Sequence, residues 1–94
     1  MDIIIINKSD KPLNKYDAIL NNKKISFGAA GMSDYTLHKD DERKQRYINR
    51  HRKNENWQTP SPGFFSRWVL WNKKTLKESI NDINKRFNLN VKLK

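Results

Sequence analysis

The chain has 94 residues, only 35% of them hydrophobic, with ten aromatics, no cysteine, and a formal charge of +10 from 20 Lys+Arg against 10 Asp+Glu. That length makes one domain, 1–94, with a modest core in which the aromatics count most, because each buries a large area. Without cysteine there is no disulfide or thiolate metal site, no run approaches the ~20 apolar residues of a membrane span, and the acidic start at Asp2 is unlike a signal peptide, so the expectation is a chain that is neither secreted nor membrane-bound.

Residues 2–7, with four consecutive isoleucines, predict a strand, since β-branched side chains favour the pleated sheet. A polar loop, Lys8-Ser9-Asp10-Lys11-Pro12, follows. Residues 15–20 predict a second strand and 24–27 a third, with Ile25 and Phe27 on one face. Asn21-Asn22 between them suits a tight hairpin turn, because Asn tolerates positive φ. Gly28-Ala29-Ala30-Gly31 leaves the sheet. It lacks the Lys and Ser/Thr of a phosphate-binding P-loop, so a turn is the expected role.

Ser33 to His38 leads into a first helix, expected from Lys39 to Lys53. Asp40, Asp41 and Glu42 fall in its first turn and Arg50, Arg52 and Lys53 in its last, an order that complements the helix dipole. Residues 54–60 form a loop pinned by Trp57. Ser61 and Pro62 are a cap and a first helical residue for a second helix, expected over 62–71 and largely buried, since it is apolar nearly all round. Thr75-Leu76-Lys77-Glu78 is a capping-box sequence for a third helix, worth about 1 kcal/mol. Its apolar stripe is Leu76, Ile80, Ile83 and Phe87, and Asn88 suits a left-handed end. Leu89, Val91 and Leu93 alternate with polar residues as a half-exposed fourth strand at a sheet edge. The expected fold class is α+β: a small, mainly antiparallel sheet with three helices packed on one face, in the order β-β-β-α-α-α-β.

The first helix carries the main functional signal. Lys39, Arg43, Arg46, Arg50 and Lys53 are spaced 4, 3, 4 and 3 apart. On a helix they share an arc of about 80° over about 21 Å, with Tyr47, Ile48 and His51 turned toward the core. Segment 39–53 holds seven Lys+Arg against three acids, and the acids sit only in the first turn. Asp40 with Lys44 and Glu42 with Arg46 can pair, which is the pattern of a plain solvated face. The rest of the face is unopposed, as a run of phosphates requires. Arg52, Arg67, Lys73 and Lys74 are further cations near in sequence, and Trp57 is a candidate for base stacking. The run Arg50-His51-Arg52-Lys53 also has the composition of a nuclear import signal.

Other chemistry has little support. Phe64, Trp68 and Trp71 share a helical face and are needed for the core. His38 and His51 lie 13 positions apart; on one helix that is about 20 Å, too far to share a metal. Neither has a ligand set around it. Acid-base chemistry at His38 with Asp34 or Asp40, or a nucleophilic Ser66, has no supporting spacing. No catalytic residue, metal site or cofactor is expected.

The segments Phe27-Gly28-Ala29-Ala30-Gly31-Met32-Ser33-Asp34-Tyr35-Thr36-Leu37-His38-Lys39-Asp40, Arg43-Lys44, Tyr47 and Arg50-His51 resemble a family of small basic proteins of giant nucleocytoplasmic large DNA viruses. The likeness continues through Trp57, Gly63-Phe64, Ser66-Arg67-Trp68, Leu70-Trp71-Asn72-Lys73 and Thr75-Leu76-Lys77-Glu78-Ser79, covering about residues 24–87. Two departures are Phe65, where the pattern has tryptophan, and Pro-Ser-Pro before Gly63. The resemblance implies a viral protein of the virion or of a viral factory in the host cytoplasm or nucleus. It implies no reaction and carries over no catalytic residue. The combined expectation is a non-enzymatic protein that contacts nucleic acid, DNA before RNA, through phosphates and largely without sequence preference. The alternative is a minor capsid or scaffold component whose charge meets an acidic protein surface, with the fourth strand adding to a partner's sheet.

Overall fold

A computed structural model describes residues 3–94. Four strands, β1 (Ile3–Lys8), β2 (Asn14–Leu20), β3 (Lys23–Ala29) and β4 (Asn90–Leu93), form one sheet in the order β3-β2-β1-β4. β1 with β2 and β2 with β3 are antiparallel, whereas β4 returns parallel to β1, pairing Val91 with Ile4. The expected start of the first strand at Asp2 lies outside the described residues. The β2–β3 hairpin turns at Asn21 and Asn22, with φ of 51° and 66°. Two consecutive left-handed residues match the twist of the strands they join.

Side-chain alternation divides the sheet. Ile4, Ile6, Ala18, Ile25, Phe27 and Val91 point to the face that carries the helices and are buried there. The register places Ile5, Asn7, Asp17, Ile19, Lys24, Ser26 and Lys92 on the other face. Asp17, at 1% exposure, is buried on that outer face because the hydroxyls of Ser9 and Ser26 donate to it at 2.8 and 2.7 Å, with the Lys24 ammonium at 3.8 Å.

The helical half is more divided than the sequence predicts. The expected first helix does not begin at Lys39. A one-turn helix, α1 (Tyr35–His38), comes first, and Lys39 ends it in the left-handed region at φ 56°. Helix α2 then spans Asp41–His51. Two caps explain the break. The Asp34 carboxylate accepts from the Thr36 amide to start α1, and the Asp40 carboxylate accepts from the amides of Glu42 and Arg43 to start α2. Each N-cap residue adopts extended backbone and so interrupts a continuous helix. At the other end α2 closes at His51 with Arg52 as its cap, leaving Lys53 in the turn beyond.

The second expected helix is also two pieces. Helix α3 (Pro62–Phe65), capped by Ser61, runs into a π-helical turn over Ser66–Leu70, closed by the Trp71 amide donating to the Ser66 carbonyl at 3.1 Å. Phe64, Phe65, Trp68, Val69 and Leu70 are all buried against the sheet and α4 (Leu76–Phe87). Thr75 caps α4 as expected, its hydroxyl accepting from the Glu78 amide at 3.1 Å, but the Glu78 carboxylate accepts from that hydroxyl at 3.0 Å in place of the Thr75 amide of a full capping box; Asn88 ends α4 at φ 53°. The fold is α+β as expected, with the helices on one side of a mainly antiparallel sheet.

Candidate nucleic-acid interface

Helix α2 is fastened by a few side chains from its inner face. Tyr47 and Ile48 are buried, and the Lys44 ammonium donates to the Asn72 carbonyl at 2.6 Å. Asn72 is itself buried and donates to Asp82 of α4 at 2.8 Å. The Tyr47 ring lies between His51, 4.4 Å away, and Trp71, 4.3 Å away. Burial, then the nearby Glu55 charge, raises the Tyr47 hydroxyl pKa and keeps it protonated.

That anchoring turns Arg43, Arg46 and Arg50 outward on one exposed face. Arg46 approaches Glu42 at 3.9 Å, with both side chains mostly exposed, so the pair does little to neutralise it. Among the described residues, Arg43, Arg50, Arg52 and Lys53 form no ion pair. The expected Asp40–Lys44 pair does not form, because Asp40 is spent on capping and Lys44 on Asn72. Burial, followed by the charges of Arg67 and Lys73, lowers the Lys44 pKa.

Other candidates stand apart from this ridge. Lys39 lies off the helix, its ammonium donating to the Thr36 carbonyl at 2.9 Å. Lys73 and Lys74 are exposed in the bend before α4. Arg67 is not a free surface cation. Its guanidinium lies 4.2 Å from the Trp68 ring and 5.4 Å from Trp57, donates to the Trp71 carbonyl at 2.8 Å, and has a buried Nε without a partner. Trp57 is half-buried against the core, donates to Glu55 at 2.9 Å, and accepts from the Trp68 indole through its carbonyl at 2.9 Å. Both residues serve packing, a role set by tertiary contacts that helical spacing does not reveal. Arg86, absent from the sequence-based candidates, lies 4.6 Å from the Trp68 ring and pairs with Asp82 at 3.1 Å.

His38 has a hydrogen-bonding role. Its Nδ1 accepts from the Asp40 amide at 2.9 Å, and its ring rests on Trp71 at 5.3 Å. Burial first, then the Arg43 charge, lowers its pKa, so the imidazole is neutral. Among the described residues no cluster of three His, Asp or Glu could hold a metal, and no helix is long and apolar enough to cross a membrane.

The outer edge of β4 is occupied at Val91. Asn84 of α4 donates to the Val91 carbonyl at 3.1 Å and accepts from the Val91 amide at 2.7 Å. A side-chain amide thus fills the place a partner strand would take at Val91, which blunts the edge for strand addition.

Residues 4–51, just over half of the chain, match a family of unknown function, DUF5754. The chain belongs to that family. The DUF5754 match runs from β1 through the end of α2, so it takes in the hairpin, both aspartate caps and the three ridge arginines. No curated protein and no solved structure matches the chain.

Proposed function

We propose that this DUF5754 protein binds nucleic acid through the exposed face of α2, chiefly by phosphate contacts and without catalysing a reaction. The observation that carries the reading is the set Arg43, Arg46 and Arg50 on one solvent-facing helical side, with Arg52 and Lys53 following, opposed only by a loose contact to Glu42. Charges one helical turn apart suit a row of phosphates, and the net charge of +10 favours approach to any polyanion. Phosphate contacts carry no base information, so sequence preference is weak. The resemblance to proteins of giant DNA viruses supports DNA before RNA and a setting in the virion or viral factory.

The test is fluorescence anisotropy of labelled duplex DNA across a salt series. With about four phosphates neutralised, log K falls against log salt with a slope of about −3.6. The triple variant Arg43→Glu, Arg46→Glu, Arg50→Glu, shown folded by circular dichroism, loses most binding. Absent binding at low salt, or binding indifferent to the triple change, rejects this reading. Binding to an acidic viral structural protein through the same charges would then be tested next.

A further inference from the structure

A cleft of about 440 Å³ opens beside the ridge, between the end of β3, α2 and the start of α3. Arg50 belongs to both, exposed on α2 and lining the cleft. The volume is that of one nucleotide and far below that of a duplex segment, near the lower part of the range for small-ligand sites.

The lining combines three features. Tyr47, His51 and Trp71 give it a wall of stacked rings. Its two acids are already engaged, Asp34 by the Lys15 ammonium and the Thr36 hydroxyl, Glu55 by His51 at 3.0 Å and the Trp57 indole at 2.9 Å. Donors remain for an anion. The Arg50 guanidinium is unpaired, the Ser66 hydroxyl has no hydrogen bond among the described residues, and His51 holds Glu55 through Nδ1, leaving Nε2 for a ligand. A protonated imidazole donates from both nitrogens, so His51 can hold the carboxylate and an anion at once. Gly63 lets the cleft lining pack closely at Glu55, since a Cβ there would lie 3.1 Å from the Glu55 carboxyl carbon.

We infer that this cleft binds the monoester phosphate of a nucleotide, at a strand end or on a free mononucleotide, with Arg50, His51 and Ser66 as the donors and the ring wall beside the base. A monoester phosphate carries close to two charges at neutral pH, whereas an internal diester carries one, so several donors lining one cleft favour the terminal group. The inference rests on the nucleic-acid reading, because Arg50 links the ridge to the cleft.

The experiment measures anisotropy of three single-stranded oligonucleotides of one sequence: 5′-phosphorylated, 3′-phosphorylated and hydroxyl-ended. It adds an NMR titration of wild-type protein with thymidine 5′-monophosphate, against thymidine as control. A phosphorylated end is expected to bind about tenfold tighter than hydroxyl ends, of the order of one set of charge-assisted hydrogen bonds. His51→Phe, which keeps a ring in the stack, and Ser66→Leu, which fills the cleft, should each erase that difference and leave hydroxyl-ended binding in place. Shifts of the His51 ring and the Ser66 amide with the monophosphate, and not with thymidine, support the site without any variant. They identify a free nucleotide as the source if the phosphorylated ends bind no tighter. Equal binding of all three oligonucleotides, with no monophosphate shifts, overturns the cleft and leaves the ridge standing. Loss of hydroxyl-ended binding as well would overturn both.

Discussion

The rings of Tyr47 and Trp71 lie 4.3 Å apart with their planes within 1° of parallel, and this contact is the main aromatic fastening of α2 to the rest of the domain. Tyr47 is buried and Trp71 is half-buried, so the stack joins a mostly solvated helix to the segment that follows the π turn. Trp71→Ala removes that fastening and also exposes His38, which rests on the other ring contact of Trp71. The expected loss is about 2–3 kcal/mol, below the ~3–5 of a fully buried tryptophan. Urea denaturation measures it, and amide exchange should show α2 losing protection before the sheet does. Tyr47→Phe keeps the ring and should cost far less.

Gly28 and Gly31 both have positive φ, 77° and 83°, but their surroundings differ. A Cβ on Gly28 would lie 2.8 Å from Leu70 Cδ1 and 3.2 Å from Lys15 Cβ, whereas one on Gly31 meets nothing within 4 Å. Gly31→Ala therefore carries only the backbone term, about 1 kcal/mol. Gly28→Ala adds displacement of Leu70 from the core and should cost about 2–4 kcal/mol. Thermal melts of the two variants side by side check the order. Equal melting temperatures would contradict the close approach of β3 to the π turn.

Stability should fall with acid in two stages. The half-buried neutral His38 has a pKa below its ordinary value, so the unfolded chain binds a proton first, and stability begins to fall as pH drops below about 6.5. Asp17 and Asp82 have lowered pKa values. Burial opposes their charge, but the hydroxyls of Ser26 and Ser9 with Lys24 outweigh it at Asp17, and Asn72 with Arg86 outweighs it at Asp82. A depressed carboxyl contributes stability above the unfolded pKa near 4 and loses it as pH falls through the folded value. Urea midpoints from pH 8 to 3 should show both stages. His38→Gln should flatten the upper one, and Asp17→Asn the lower one, at a cost of about 1–3 kcal/mol at neutral pH for the disrupted hydrogen bonds.

Asn84 presents a side-chain amide to both backbone groups of Val91, and α4 thereby guards the β4 edge. Asn84→Ala leaves a part-buried amide and carbonyl without those partners. The expected cost is about 1–2 kcal/mol, with faster exchange of the Val91 amide. Light scattering should also show a greater tendency to self-associate, since an unguarded edge invites pairing.

Local signals were readable in the sequence and tertiary ones were not. Asn21-Asn22 marks the hairpin, Thr75 with Glu78 marks the start of α4, and the stripe through Ile80 and Ile83 marks its buried side, because each is decided within a few residues. The break at Lys39 was also encoded, by Asp34 and Asp40 six positions apart. Helical periodicity across 39–53 hid it, since a capping aspartate and a first-turn aspartate look alike in sequence. The roles of Arg67 and Trp57 depend on the loop at Trp57 and the π turn coming together in the fold, with the Arg67 guanidinium over the Trp57 ring and the Trp68 indole donating to the Trp57 carbonyl. The guarding of Val91 by Asn84 depends on α4 lying beside β4. Such pairings have no local periodicity to reveal them.

The break at Lys39 separates the proposed interface from a uniform coat of charge. Lys39 and Arg50 each carry one exposed positive charge, but Lys39 sits on a left-handed residue with its ammonium on the Thr36 carbonyl, while Arg50 stands unpaired on the ridge. If the ridge is the phosphate-facing element, Arg50→Gln should reduce the magnitude of the salt slope for duplex DNA by about 0.9, the effect of one lost phosphate contact. Lys39→Gln should weaken binding slightly through net charge and leave the slope unchanged. Matched anisotropy titrations across a salt series read both. Equal changes in slope would mean that the nucleic acid responds to total charge and not to the geometry of α2, and the assignment of the ridge would fall.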